Sequence, residues 1–287
     1  MKILVSGTRG SFGSQLVKIL AEYDPISLRY GQINKQDSLK LSTCDVFIHC
    51  GALLSGSFSQ MFEANVLLTR NILDHLNFNN PEAHFIYFSS MSLLQAQKDI
   101  LSDSYRDFKE MTDYALSKYI SEILCSKYRL PITIVRFSTI FFKDPKRDGL
   151  SKLIHDAVLD NKITLYNDGS AKRDFIPVDI AASYVKKLIA DRRYYGRTLN
   201  IASCRETTFK EIALFLQAEI PNLLIENKSI DLDDNVPTSF NCDDLNMVGK
   251  LEFDLLAEIT SYMKELQPSS ESNSRISNEN EFNNKRA

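Results

Sequence analysis

A glycine-rich turn near the start of the chain limits the possible folds more than any other feature of the sequence. An apolar run at residues 3–5 predicts a short buried strand, and the turn Gly-Thr-Arg-Gly-Ser-Phe-Gly follows it at residues 7–13. Phe12, Leu16 and Ile19 then lie at the spacing of one helix face. In such a unit, glycines let the backbone approach a pyrophosphate while the helix N-terminus supplies N–H donors. The motif predicts a dinucleotide site, with a tight turn that binds no ligand as the alternative.

Short β-branched or aromatic runs alternate with amphipathic segments through the first half of the chain. Predicted strands cover residues 3–5, 26–28, 46–49, 85–88 and 132–135. This alternation predicts an α/β fold with a doubly wound, Rossmann-type parallel sheet that binds its ligand at the carboxyl ends of the strands.

The pattern changes after about residue 140, where short elements are separated by polar turns. We therefore expect a dinucleotide-binding domain over residues 1–140, with returns to it near 175–202, and an interleaved C-terminal substrate lobe over 141–266. Residues 267–287 are rich in Ser, Asn and Glu with few apolar side chains, which predicts a disordered tail.

Composition and charge exclude several classes of function. The chain has 287 residues and a formal net charge of -3 with scattered Lys and Arg, so nucleic acid is not an expected partner. No run approaches the roughly 18 apolar residues that a membrane helix needs, and the chain opens with a strand rather than a signal peptide. The 5 cysteines are odd in number and lack Cys-x-x-Cys spacing, which predicts reduced thiols and a cytoplasmic location. The 4 histidines lie far apart in the sequence, which predicts that the chain has no metal site.

Two helix residues and one strand-end residue form the predicted catalytic set. Tyr114 and Lys118 are four positions apart in a helical stretch, so the phenol and the ammonium share one helix face. A nearby cation stabilises the phenolate and lowers the pKa of a tyrosine from its ordinary value near 10. Ser90 ends a predicted strand 24 residues before Tyr114, at the sheet edge where ligands bind. Taken alone, Tyr114 and Lys118 could be a pair on a helix surface, and Ser90 could be a helix cap. Together with the glycine turn, the three residues predict an oxidoreductase site.

Cofactor selectivity depends on the residues that approach the adenosine ribose. NAD-selective domains carry an acidic residue about 20 positions after the turn, whereas this chain has Arg29 and Tyr30 after its second predicted strand. Arg9 adds a second cation within the turn. Two cations without the acid favour NADP over NAD, although Arg29 could be a solvated strand-end residue.

These residues resemble the extended branch of the short-chain dehydrogenase/reductases, the NAD-dependent epimerase/dehydratase enzymes that modify nucleotide sugars. Four further segments share the resemblance, which covers about residues 1–265: 45–52 (DVFIHCGA), 65–66 (NV), 135–138 (VRFS) and 168–179 (DGSAKRDFIPVD). It implies a homodimer that packs the helices around 61–75 and 107–128 into a four-helix bundle.

The resemblance also implies which residues contact the ligands. The implied cofactor contacts are Gly7, Thr8, Arg9, Gly10, Ser11, Phe12, Gly13, Arg29, Cys50, Gly51, Ala52, Asn65, Ser89, Tyr114, Lys118 and Phe137. The implied substrate contacts are Ser90, Met91, Ser92, Tyr114, Ser138 and Arg173. The guanidinium of Arg173 suits a nucleotide diphosphate, with an Arg-Asp surface pair as the alternative.

Two departures from the family narrow the reaction. The dehydratases of this family carry Asp-Glu after the hydroxyl residue, whereas this chain has Met91-Ser92, so elimination of water is disfavoured. Phe141-Phe142 replaces the Tyr-Gly of many members, which alters the expected nucleotide pocket. The remaining chemistry is hydride transfer, and we expect reduction of a nucleotide-linked 4-keto-6-deoxyhexose. A nucleotide-sugar epimerase that retains NAD and a non-catalytic dinucleotide sensor are the alternatives.

Overall fold

The computed structural model describes residues 1–28, 41, 43–94, 111–189, 191–230 and 243–267. Arg29, residues 107–110 of the predicted dimer helix and the predicted tail over 268–287 lie outside the described residues. The strands within the described ranges are β1 (Ile3–Ser6), β2 (Ile26–Leu28), β3 (Val46–His49), β4 (His84–Ser90), β5 (Ile132–Phe137), β6 (Thr139–Phe141), β7 (Lys162–Tyr166), β8 (Lys172–Pro177), β9 (Arg197–Ile201), β10 (Glu206–Thr208) and β11 (Leu224–Lys228).

The α-helices within the described ranges are α1 (Ser11–Ile19), α2 (Phe58–Met61), α3 (Leu68–Asn79), α4 (Asp113–Cys125), α5 (Gly149–Asp160), α6 (Val178–Leu188), α7 (Phe209–Glu219), α8 (Asp243–Val248) and α9 (Leu255–Leu266). A π-helical turn, Phe62–Leu67, joins α2 to α3. Such turns are rare and frequently mark functional sites.

The central sheet of the described chain has six parallel strands in the order β2-β1-β3-β4-β5-β9. The predicted α/β fold with a parallel, doubly wound sheet is confirmed. Because β2 and β3 flank β1 on opposite sides, the strand order reverses between β1 and β3. In open α/β sheets, ligands bind outside the carboxyl ends of the strands at such a reversal.

Alternating side chains fill a core on each face of this sheet. Val5 and Phe88 pack with α1 and α6 on one face, whereas Leu4 and Tyr87 pack with α3 and the end of α4 on the other. A strand buried on both faces reads as a continuous apolar run, which explains why the sequence pattern predicted these strands.

The chain divides into two compact units. The first comprises the described parts of Met1–Phe142, Ala171–Thr208 and Leu232–Phe253, and the second those of Lys143–Ser170, Phe209–Asp231 and Asp254–Ala287. The first unit holds the central sheet and the small sheet β10-β8-β6, and the second holds the parallel pair β11-β7.

Cysteine chemistry differs in part from the prediction. Cys44, Cys50 and Cys125 are free thiols, but Cys204 is disulfide-bonded, so the prediction of reduced thiols is wrong for that residue. Within the described ranges, no cluster of three or more His, Cys, Asp or Glu side chains could hold a metal ion, and no helix is long and apolar enough to cross a membrane.

Candidate active site

The glycine turn forms a backbone cradle at the strand reversal. Gly7 has φ +79°, and a Cβ placed on it would lie 2.5 Å from the backbone nitrogen of Gly51, which follows β3. A Cβ on Gly13 would lie 2.4 Å from the carbonyl oxygen of Gly7. Both positions therefore require glycine, since no side chain fits between these backbones. The cradle fits the close approach of a pyrophosphate to the N-terminus of α1.

Aromatic side chains connect this cradle to the carboxyl ends of β4 and β5. The ring of Phe12, in the first turn of α1, lies 4.9 Å from the ring of Phe88 and 5.3 Å from that of Phe137, measured between centroids. The rings of Phe88 and Phe137 meet edge to face at 5.4 Å. This packing fixes where α1 begins relative to the strand ends.

The structure brings the predicted catalytic residues together. The Ser90 hydroxyl lies close enough to the phenol of Tyr114 to lower its pKa, and its oxygen accepts the backbone N–H of Ser92 at 3.1 Å. Lys118 is 2% exposed, its ammonium donates to the carbonyl oxygen of Phe88 at 2.7 Å, and it lies 6.0 Å from the centroid of the Tyr114 ring. The strand end and the helix thus place a hydroxyl, a phenol and an ammonium side by side.

Burial shifts the protonation of both helix groups. It raises the pKa of Tyr114 to about 12, and the neighbouring Ser90 hydroxyl acts in the opposite direction. Burial also lowers the pKa of Lys118 to about 8, while the neighbouring carboxylate of Glu122 favours its charged form. Perturbed ionisable groups of this kind at a sheet edge are typical of active sites.

Asn65 holds the turn after β3 against helix α4. Its amide oxygen accepts the N–H of Leu53 at 2.7 Å, and its amide nitrogen donates to the carbonyl oxygen of Leu53 at 2.9 Å and to the Ser117 hydroxyl at 2.9 Å. Its backbone carbonyl, within the π-helical turn, accepts the hydroxyls of Thr69 at 2.6 Å and Ser121 at 3.0 Å. Asn65, predicted as a cofactor contact, directs its side-chain amide to these protein groups.

His49 extends this network to the strand that precedes the glycine turn. Its Nδ1 lies 2.6 Å from the Ser6 hydroxyl and its Nε2 lies 3.2 Å from that of Thr69. Because Thr69 donates its own hydrogen to the Asn65 carbonyl, the Thr69 oxygen accepts from Nε2–H and Nδ1 accepts from Ser6. Burial lowers the pKa of His49 to about 3, so the ring is neutral.

A buried ion pair joins α4 to β5. The Nε of Arg136 donates to one carboxylate oxygen of Glu122 at 2.9 Å, and Nη2 donates to the other at 2.6 Å. The two residues are 6% and 7% exposed, respectively. This pair was not predicted from the sequence, and neither were Ser117 and Ser121; the four-residue spacing from Lys118 to Glu122 was the available signal.

Other predicted site residues lie directly after β4 or on β8. Met91 is buried in a small apolar cluster with Leu94 and Ala202. Arg173 lies on β8 and donates to the carbonyl oxygen of Lys172 at 2.7 Å. Asp174 is buried and accepts the N–H of Ser203 at 2.8 Å.

The remaining predicted contacts surround the cradle or follow the strands. Gly10 caps α1 in extended conformation and donates its N–H to Gly7 at 2.9 Å. Of the others, Thr8 and Arg9 lie in the turn and Ser11 begins α1. Cys50 and Ala52 follow β3, Ser89 lies at the end of β4, and Ser138 follows β5.

A doubly wound sheet with a glycine cradle at its strand reversal, and a serine, a tyrosine and a lysine beside it, defines the class of Rossmann-type dinucleotide-binding proteins. Residues 3–202 match the sequence profile of the NAD dependent epimerase/dehydratase family. The match covers more than half of the chain, so the protein belongs to this family.

Individual relatives are similar over most of the chain. An uncharacterized UDP-glucose epimerase, YtcB, of Bacillus subtilis (strain 168) is 22% identical over 75% of this chain and 81% of its own length. The GDP-6-deoxy-D-talose 4-dehydrogenase of Aggregatibacter actinomycetemcomitans is 24% identical over 71% of this chain and 74% of its own length.

Solved structures share the fold at low sequence identity. The UDP-glucuronic acid 4-epimerase from Bacillus cereus, in complex with UDP-glucuronic acid and NAD, superposes with a TM-score of 0.76 at 20% identity and covers 93% of this chain and 100% of its own. TunA, an NAD-dependent NDP-hexosamine 5,6-dehydratase of tunicamycin biosynthesis, superposes with a TM-score of 0.79 at 16% identity, over 92% of this chain and 96% of its own.

Proposed function

We propose that this protein is an NAD(P)-dependent oxidoreductase that reduces a nucleotide-linked 4-keto-6-deoxyhexose, with Ser90, Tyr114 and Lys118 as its catalytic residues. The observation that carries the proposal is the approach of the Ser90 hydroxyl to the Tyr114 phenol beside the buried ammonium of Lys118. Membership of the epimerase/dehydratase family supports it, as does the similarity to a GDP-6-deoxy-D-talose 4-dehydrogenase.

The chemistry assigns one task to each side chain. The Ser90 hydroxyl donates a hydrogen bond to the sugar carbonyl oxygen, and Tyr114 gives its phenolic proton to that oxygen as the carbonyl carbon becomes a secondary alcohol. The ammonium of Lys118 stabilises the phenolate that remains. General acid catalysis of this kind contributes about 10²–10⁴-fold to a rate.

The cofactor site in this proposal is the cradle at the strand reversal. Gly7, Gly10 and Gly13 with the N-terminus of α1 would hold the pyrophosphate, and the ends of β3 and β5 would line the nicotinamide half. A bound nicotinamide would supply the hydride. Arg9 is exposed in the turn, where its guanidinium suits a 2′-phosphate, and this favours NADP.

The substrate side of the proposal involves Ser92, Ser138 and Arg173, with Arg173 on the diphosphate. Met91 packs with apolar neighbours, and Ser92 cannot act as a general acid at neutral pH. The position after Ser90 therefore offers no carboxyl group to protonate a leaving hydroxyl, which argues against dehydration.

An NADPH oxidation assay over a panel of nucleotide-linked 4-keto-6-deoxy sugars tests the proposal. We expect oxidation with at least one member and a product with a new hydroxyl at the former carbonyl carbon. If the protein binds NADPH normally but no keto-sugar oxidises it, the reductase assignment is wrong and a non-catalytic sensor is favoured.

Epimerisation of a nucleotide sugar is the second candidate, favoured by the similarity to a UDP-glucose epimerase. The same trio would then remove and return a proton at one hydroxyl, without net oxidation. Copurified NAD and interconversion of two nucleotide sugars without added NADPH would establish this alternative and overturn the reductase proposal.

We further propose that the protein is a homodimer that packs the π-helical turn, α3 and α4 against a second copy. Leu67 and Ile123 lie on these helices and are 38% and 40% exposed. Light scattering of the purified protein, compared with a Leu67→Lys/Ile123→Lys variant, tests this arrangement; a monomeric parent protein would contradict it.

A further inference from the structure

Helix α4 carries three ionisable side chains on one face. Tyr114, Lys118 and Glu122 follow each other at intervals of four residues, the spacing at which helical side chains are neighbours. The proposed chemistry uses the first two. Glu122 is 7% exposed and Lys118 is 2% exposed, so a buried carboxylate lies one turn from the catalytic ammonium.

Glu122 is bound to Arg136 instead of Lys118. Both of its carboxylate oxygens accept guanidinium N–H groups, at 2.9 Å and 2.6 Å. Arg136 lies within β5, between β4 and β9 in the sheet, where it is in register with Ser89 and Asn200. The sheet backbone therefore fixes the base of the arginine, and the planar fork fixes the carboxylate.

Lys118 makes a different set of contacts. Its ammonium donates to the carbonyl oxygen of Phe88 and lies 4.9 Å from the centroid of the Tyr87 ring. An ammonium has three donors, so two remain for the phenol and for a ribose. Other titratable groups of the described residues that face it are the neutral His49 on β3, Cys50 directly after β3 and Cys125 on α4. Burial raises the pKa of both thiols, so they are uncharged at neutral pH.

We infer that Arg136 is a positioning residue, which holds the carboxylate of Glu122 away from Lys118 and so keeps the catalytic ammonium available for the phenol and the cofactor. In a buried site, opposite charges one helical turn apart attract strongly because the surroundings screen them weakly. Without the guanidinium, the carboxylate would turn to the ammonium and occupy its donors. The inference rests on the proposed role of Lys118.

Three variants separate this role from a purely structural link between α4 and β5. Arg136→Met frees the carboxylate, Glu122→Gln removes its charge, and the double variant removes both charges. Each single variant breaks this buried ion pair, so both should lower the midpoint of thermal unfolding. Measurements of Kd for NADPH and NAD at a temperature where all variants are folded provide the second readout.

The two single variants should differ in their affinity for the cofactor. Arg136→Met should weaken cofactor binding by about tenfold or more, as expected for losing a hydrogen bond from a charged donor. Glu122→Gln should keep Kd near the parent value despite its lower stability, and adding it to Arg136→Met should restore binding. Equal losses of cofactor affinity in both single variants, or no recovery of affinity in the double variant, would mean that the ion pair only links α4 to β5.

A crystal structure of the Arg136→Met variant without cofactor gives a test that is independent of binding. We expect a carboxylate oxygen of Glu122 within about 4 Å of Lys118 Nζ, and a carboxylate that stays away from Lys118 overturns the inference. If the parent protein binds neither cofactor, the proposed function fails while this structural test still decides the role of Arg136. If Arg136→Met does not fold, Arg136→Lys leaves one carboxylate oxygen free, and its weaker binding should likewise be reversed by Glu122→Gln.

Discussion

The ammonium of Lys118 donates a hydrogen bond of 2.7 Å to the carbonyl oxygen of Phe88. Phe88 lies two residues before Ser90 on β4, so this bond sets helix α4 against the strand end at which Ser90 meets Tyr114. A backbone carbonyl of the central sheet therefore positions the catalytic helix, and loss of either partner should disturb the phenol as well as the ammonium.

Tyr114→Phe should lower turnover by at least about 10²-fold while Kd for the cofactor stays near the parent value, because only the proton donor is lost. Steady-state rates with the active keto-sugar and a cofactor titration test this. Tyr128→Phe is the control, since its phenol bonds to the exposed Asp74. Parent-like turnover in Tyr114→Phe would disprove the catalytic assignment.

Gly13→Ala should abolish dinucleotide binding, because the new methyl group would lie 2.4 Å from the carbonyl oxygen of Gly7 and spread the cradle. Gly149→Ala is a matched control at the start of α5, where a Cβ meets only the Phe209 ring at 3.9 Å. The control should be neutral or stabilise by a few tenths of a kcal/mol. Normal cofactor binding by Gly13→Ala would contradict the cradle.

Asn65→Ala should destabilise the protein by about 2 kcal/mol or more, because it leaves the N–H and C=O groups of Leu53 without partners. Because the turn after β3 would also be less well fixed, the variant should bind the cofactor more weakly. Urea unfolding measures the stability, with Asn79→Ala on the exposed end of α3 as the control. Similar losses of unfolding free energy in the two variants would show that the hydrogen bonds of Asn65 stabilise the protein no more than those of an exposed asparagine.

Arg9→Ala should weaken NADPH binding by about tenfold and leave NADH binding nearly unchanged, since only NADPH carries the 2′-phosphate that a guanidinium would pair with. Parallel titrations with both cofactors measure the ratio. Lys18→Ala, on the exposed side of α1, is the control. Equal effects of Arg9→Ala on both cofactors would remove the argument for NADP.

The stability of the protein should fall as the pH decreases from about 6.5 toward 4, in part because of His84. Burial lowers the pKa of His84 to about 4, so below pH 6.5 the unfolded chain takes up a proton that the folded state excludes. The contribution amounts to about 2 kcal/mol at pH 5. Urea midpoints at pH 7 and pH 5 should differ less for His84→Gln than for the parent protein. An unchanged difference would rule out this origin of the acid sensitivity.

Local patterns predicted the parts of the molecule whose geometry repeats along the chain. The strands that include Ile3, Phe47 and Phe88 are confirmed, because a strand covered by helices on both faces needs a continuous apolar run. By contrast, β10 is polar and short, and its pairing with β8 could not be read from residues 206–208. The π-helical turn also escaped prediction, because it depends on partners that Asn65 finds on α4.

The sequence by itself determined the α/β fold class, the glycine turn and the spacing of Tyr114 and Lys118 on one helix face, since each follows from the local periodicity or conformational freedom of the backbone. Only the tertiary structure decided which distant groups meet. Ser6 binds His49, Asn65 binds Ser117, and Arg136 binds Glu122. These contacts join residues on different elements, and their choice depends on how the sheet order and helix packing bring those elements together, which no short stretch of sequence encodes.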